Sequence, residues 1–164
     1  MALEQLAEEG SLTKIRIGEL SGTFYALTSA LQSLDEPLPA PRVIFMGPLD
    51  SLLWDRKSVQ QIFNLDYVWE VYKPAEQRKW GYYVLPVCFG DRFIARIDSR
   101  LEKDIWTISR WWWEPDVIPN ADLLDAVANA IESFMQYLRA DKVNFGENVD
   151  AFIKQRSTTY RVSK

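Results

Sequence analysis

Lys73-Pro-Ala-Glu-Gln-Arg-Lys-Trp80 joins two apolar stretches and gathers Lys73, Arg78 and Lys79 beside Trp80. Cations neutralise phosphate and an indole stacks on or wedges against bases, so this composition suits a nucleic-acid backbone. A solvated hairpin loop with Trp80 turned inward fits the same residues. A second candidate is Arg56-Lys57, just past the helix-capping residue Asp55, where a helix N-terminus also attracts anions. Charged helix starts that only face water are equally ordinary. A third is the set Arg92, Arg96 and Arg100, spaced by four and so on one side of a regular strand, with Arg110 nearby. It reads either as plain surface or as a stripe that tracks phosphates. The fourth is Trp111-Trp112-Trp113. A strand turns the outer two one way and Trp112 the other, so at least two belong in a core and one face carries a Trp toward solvent or a partner.

Catalytic chemistry is narrowly bounded. The 164 residues contain no His and a single Cys, Cys88. That removes Ser-His-Asp and Cys-His catalysis, His-based zinc sites and any internal disulfide. Acid–base work falls to Asp, Glu, Lys or Tyr, and no carboxylates are paired in a way that implies it. There is no phosphate loop, dinucleotide fingerprint or metal-ligand spacing, so no cofactor and no metal are expected.

The elements that must hold these residues come from a globular chain, 48% hydrophobic and 26% charged. Its 7 Trp require a core. Residues 1–39 carry 2 basic and 6 acidic side chains, 40–113 carry 11 and 9, and 114–164 carry 6 and 8. The net charge of −4 thus hides a slightly basic middle between acidic ends. A domain-wide basic footprint is missing, while a local patch is compatible with these numbers. No stretch is apolar for long enough to cross a membrane, and the acidic start lacks a signal core, so no membrane partner and a cytoplasmic location are expected.

Residues 1–31 read as a short helix ending at Gly10, a strand Thr13–Ile17, a turn and a strand Thr23–Leu27. That is the second half of a winged helix, and the chain is expected to begin inside a domain. Residues 32–41, with three prolines, form a linker. Residues 42–164 form the main domain. Val43–Met46 is a strand, and Trp54 staples onto Val59 at a helix start. Tyr67–Lys73, Gly81–Phe89, Arg92–Asp98 and Ile105–Trp113 follow as an antiparallel run. Pro86 belongs at an edge or a bulge. The long helix capped by Asn120 buries Leu124, Val127, Ile131, Phe134, Met135 and Leu138, and a shorter helix covers 149–156. The class is α+β: the end of a winged helix, then a small antiparallel β-barrel or curled meander with a packed C-terminal helix.

A family resemblance spans residues 3 to 140. Pro48-x-Asp50-x-x-Leu53-Trp54-Asp55-Arg56, Phe63-x-x-Asp66-Tyr67-x-x-Glu70-x-Tyr72-x-Pro74, Arg78-x-Trp80-Gly81-Tyr82-Tyr83-Val84-Leu85-Pro86 and Gly90-Asp91-Arg92-x-x-Ala95-Arg96-x-Asp98 follow in order. This series resembles the YcaQ/AlkZ-type winged-helix DNA glycosylases, which unhook interstrand crosslinks and excise bulky alkylated bases. Gly47-Pro48-Leu49-Asp50 stands where members usually carry Ser-Pro-Phe-Asp, and Phe89 where many carry His. The resemblance implies tandem winged helices followed by a C-terminal barrel, of which this chain is similar to the last part. It implies double-stranded DNA as partner, held weakly by this part alone, and winged-helix domains N-terminal to it. The family's catalytic Gln-x-Gln or Gln-x-Asp is absent, since no Gln here has Gln or Asp two places on. The expectation is therefore a DNA-binding module that is non-catalytic by itself, with contacts at Arg56, Lys57, Arg78, Lys79, Trp80, Arg92 and Arg96. The competing expectation is a structural or protein-interaction domain without direct DNA contact.

Overall fold

The computed structural model describes residues 2–157. They divide into two compact units at Ala40/Pro41. The first holds helix α1 (Ala2–Glu8), the antiparallel pair β1 (Leu12–Ile15) and β2 (Phe24–Leu27), and a 3-10 helix over Thr28–Asp35. Glu4 ties α1 to the hairpin: its carboxylate accepts from the Tyr25 hydroxyl at 2.7 Å and pairs with Lys14 at 2.6 Å. These two contacts hold its carboxyl below the usual range. Helix α1 buries none of its residues within the described chain.

The second unit is built on one five-stranded sheet. Its strands are β3 (Val43–Phe45), β4 (Val84–Phe89), β5 (Arg92–Glu102), β6 (Ile105–Trp113) and β7 (Lys142–Asn148), adjacent in that order. The first four form an antiparallel meander, whereas β7 runs parallel to β6. A parallel return needs a long crossover. Helix α3 (Ala121–Leu138) supplies it, capped where Asn120 accepts the Leu123 N–H at 2.9 Å. Gly146 lets β7 approach β6, because a Cβ there would collide with the Ser109 carbonyl.

The sheet is open, and the expected barrel is not formed among the described residues. Closure would require β3 and β7 to pair. Both are edges, and β3 is three residues long. Tyr67–Lys73, expected as a strand, is irregular chain fixed by side chains, with the Tyr67 hydroxyl donating to the Val84 carbonyl at 2.8 Å. Burial pushes that phenol's pKa up. Pro86 lies between two neighbours rather than at an edge. Its carbonyl accepts the Met46 N–H just past the end of β3, and a register shift follows at Val87/Cys88. Continuing the β3–β4 register sets Pro86 opposite Met46, where a residue with an N–H would return a second bond, so the ladder is incomplete at that pair and β3 stops at Phe45.

Two apolar clusters flank the sheet. The larger combines Val87, Ala95, Ile97, Trp106, Ile108 and Trp111 with α3 residues Leu124, Val127, Ile131 and Met135, and with Ile153 of α4 (Ala151–Ser157). The expected inner face of α3 is all here, with Phe134 and Leu138 packed at its border. The smaller joins Val59 of α2 (Arg56–Phe63) to Leu65, Tyr67, Cys88 and Phe93. Trp54, expected to staple onto Val59, is 72% exposed, and its indole N–H donates to the Leu49 carbonyl. The segment between these elements, residues 64–81, carries the candidate site.

Candidate functional site

Strand register decides which side chains meet. In the β5–β6 ladder Arg96 pairs with Trp112, flanked by Ala95 opposite Trp113 and Ile97 opposite Trp111. Cross-strand partners share a face and successive residues alternate. Trp111 and Trp113 thus share one side, as the sequence predicts, and it is the side that packs with α3, while Arg96 and Trp112 take the other. Trp80 comes down onto that second face. Its ring meets the edge of Trp112 at 5.3 Å, and the Arg96 guanidinium lies over it at 4.3 Å. Arg96 is held in turn: its Nε donates to the Glu114 carboxylate at 2.7 Å and its Nη1 to the Asp66 carbonyl at 3.2 Å.

The backbone that delivers Trp80 is fixed by Glu70. One carboxylate oxygen accepts Lys73 Nζ at 2.8 Å and the Lys79 N–H at 3.2 Å. The other accepts the Trp80 N–H at 2.8 Å and lies 3.5 Å from the Gly81 nitrogen. Burial works to raise its pKa, but these bonds to the charged form outweigh it and bring the pKa down to about 2. Glu70 and Arg96, each 4% exposed, are the two charged residues buried among the described ones. Both serve Trp80, one through its amide and the other through its ring.

The exposed part of the arrangement is cationic. Lys79 Nζ lies 4.7 Å from the Trp80 ring centre. Arg78 donates through Nε to the Lys73 carbonyl at 2.9 Å and stacks on Tyr82 at 4.9 Å. Among the described residues neither is paired with a carboxylate, and the same is true of Arg56 and Lys57 in the exposed first turn of α2. Asp55 already caps that turn, accepting the Ser58 N–H and hydroxyl at 3.1 and 2.7 Å. Its carboxyl is lowered by those bonds.

A cleft of about 380 Å³ brings four of the seven sequence-predicted residues together: Lys79, Trp80, Arg92 and Arg96. Asp66, Glu114 and Asp116 line it too, and Asp116 lies 3.9 Å from Arg92. Arg56, Lys57 and Arg78 are not among its lining residues. Arg96 forms buried floor rather than part of an exposed stripe, and Arg100 pairs with Glu102 at 3.3 Å away from the cleft. Glu70 and Glu114 are constituents that sequence reasoning missed, whereas Trp112 is the member of the Trp triplet that it turns away from the other two. Among the described residues no group of His, Cys, Asp or Glu is placed to hold a metal ion, and no helix is long and apolar enough to cross a membrane.

The sequence matches the family described as AlkZ-like, DNA glycosylase AlkZ-like, over residues 1–137. Among solved structures, the DNA glycosylase AlkZ of Streptomyces sahachiroi is similar at a TM-score of 0.47 and 11% identity, over 87% of this chain and 34% of that one. The chain thus spans about a third of the length of that protein.

Proposed function

The chain belongs to the AlkZ-like DNA glycosylase family, and from that premise we propose that it is a DNA-binding module of a base-excision or crosslink-repair glycosylase, contacting duplex DNA through the Lys73–Gly81 loop. The observation that carries this reading is the use of the two charged residues buried among the described ones to fix one partly exposed Trp beside Arg78 and Lys79, which no carboxylate among the described residues pairs with. A fold gains little from burying charge for a loop alone, since the desolvation cost offsets the pairing. A preorganised aromatic flanked by cations suits a ligand with a polyanionic backbone and flat bases.

In this reading Arg78 and Lys79 contact phosphates, and Trp80 packs on a sugar or base edge. Arg92 extends the contact along the cleft, and Arg56 and Lys57 add charge from the start of α2. Arg96 is a positioning residue under Trp80, not a phosphate ligand, because its guanidinium is buried against Glu114. Residues 1–31 are the end of a winged helix and 32–41 a linker to the sheet domain of 42–164. The module is non-catalytic alone, lacking the family's Gln-x-Gln or Gln-x-Asp, and works in the cytoplasm with winged-helix domains that precede it.

The test is fluorescence anisotropy of a labelled duplex at about 50 mM and then about 200 mM salt, with wild type and an Arg78→Ala/Lys79→Ala double variant. Binding is expected to weaken steeply with salt, and the double variant to lose affinity and about two units of the log–log salt slope. No wild-type binding at the lower salt would favour the structural or protein-interaction reading. A double variant that binds like wild type would move the interface off this loop.

A further inference from the structure

We infer that Glu70 is a positioning residue for duplex binding, acting through Lys79 and Trp80 rather than touching DNA; this rests on the DNA-binding reading above. The carboxylate gathers three consecutive backbone N–H groups, from Lys79, Trp80 and Gly81, together with the Lys73 ammonium. Consecutive N–H groups converging on one point form an anion-binding nest. Here the chain's own carboxylate fills it.

The consequence is geometric. Glu70 fixes the backbone at residues 79–81 while Arg96 and Trp112 fix the Trp80 ring. With both ends held, Lys79 leaves its backbone from a defined point beside that ring. Glu70 itself is 4% exposed, which leaves no surface for a phosphate to meet. A carboxamide has the same size but presents an N–H₂ where one oxygen stood, so Glu70→Gln sets donor against donor for at least one of the pinned groups. The loop is then released without opening a cavity.

The experiment is a double-mutant cycle on the whole chain, with wild type, Glu70→Gln, Lys79→Ala and the pair, each titrated into a labelled duplex across a salt series. A thermal melt confirms that each is folded at assay temperature. Glu70→Gln is expected to weaken binding roughly tenfold and reduce the salt slope by about one, as Lys79→Ala does. The pair is expected to be no worse than Glu70→Gln alone, because that substitution already removes the Lys79 contact. A purely structural role lowers the folded fraction but leaves the slope of the remaining binders unchanged. Full additivity, or a folded Glu70→Gln with wild-type affinity and slope, overturns this inference while leaving the DNA-binding reading standing. Absence of wild-type binding removes both. Should Glu70→Gln melt too low, Glu70→Asp carries the test: it keeps the charge but falls one methylene short, and an unchanged slope there overturns the inference as well.

Discussion

The two faces of the five-stranded sheet are held by different physics. Against α3 the contacts are apolar: Val87, Ala95, Ile97, Ile108 and Val127 are buried, and Trp106 meets Phe45 and Phe134 with ring centres 5.6 and 5.1 Å apart. On the opposite face, beside the smaller apolar cluster of Val59, Leu65, Tyr67, Cys88 and Phe93, the sheet carries Arg96 next to Trp112, and a loop lies there whose backbone is pinned by a buried carboxylate. The first face is what a fold needs. The second puts charge where charge is costly, for the benefit of one indole and the cations next to it. Where a structure accepts such a cost, a ligand is the physical reason to look for.

Trp106→Ala tests the apolar side of this contrast and carries the largest effect. The residue is 1% exposed and its ring packs on two others, so the variant is expected to lose about 3–5 kcal/mol in a denaturant melt. A loss under about 1 kcal/mol would mean that the α3 face tolerates cavities and is not the stabilising one.

The charged side has an acid signature. Glu70 keeps its proton off down to about 2 when folded, against an ordinary value of 4.5. A depressed folded pKa stabilises the protein above the ordinary value, and that stability is lost as pH falls from about 4.5 toward 2. The full shift corresponds to on the order of 3 kcal/mol. Melts of wild type against Glu70→Gln over this window are expected to converge as pH falls, since the variant has no such proton to take up. Parallel curves would show that Glu70 contributes nothing through its charge, and the contrast between the faces would lose its main support.

This asymmetry also explains what the sequence makes legible. Periodicity reports apolar burial, and the α3 face follows from it: β6 spans Ile105–Trp113 as read, and α3 starts after Asn120 with the expected residues inward. Tyr67–Lys73 has the aromatic and β-branched composition of a strand, but Tyr67 and Glu70, three apart and both buried, bond to the Val84 carbonyl and to the backbone N–H groups of residues 79–81 instead of to a ladder. Strand β7 is not legible from sequence because Lys142-Val-Asn-Phe-Gly-Glu-Asn148 lacks the usual strand composition, its Gly146 being required by the approach to Ser109. At the site, composition exposed the cations and Trp80. Glu70 acts on amides nine to eleven residues away, and Arg96 on a ring sixteen residues back, and no local spacing encodes either distance.

Arg92→Ala carries the smallest effect on the fold and separates the two kinds of charge on the cleft side. Arg92 lines the same cleft as Arg96, but its 3.9 Å contact joins side chains that are 55% and 76% exposed. Pairs of this kind contribute about 0–1 kcal/mol, so the melting curve is expected to shift little. Duplex binding should nonetheless weaken, with the salt slope falling by about one if the guanidinium neutralises a phosphate. A variant with unchanged stability and weaker binding would place Arg92 in the interface and divide the cleft cleanly, with buried charges that position and exposed charges that bind. Unchanged binding would confine the contact surface to the loop itself, and would leave Arg92 as ordinary solvated surface on a face whose chemistry is concentrated at Trp80.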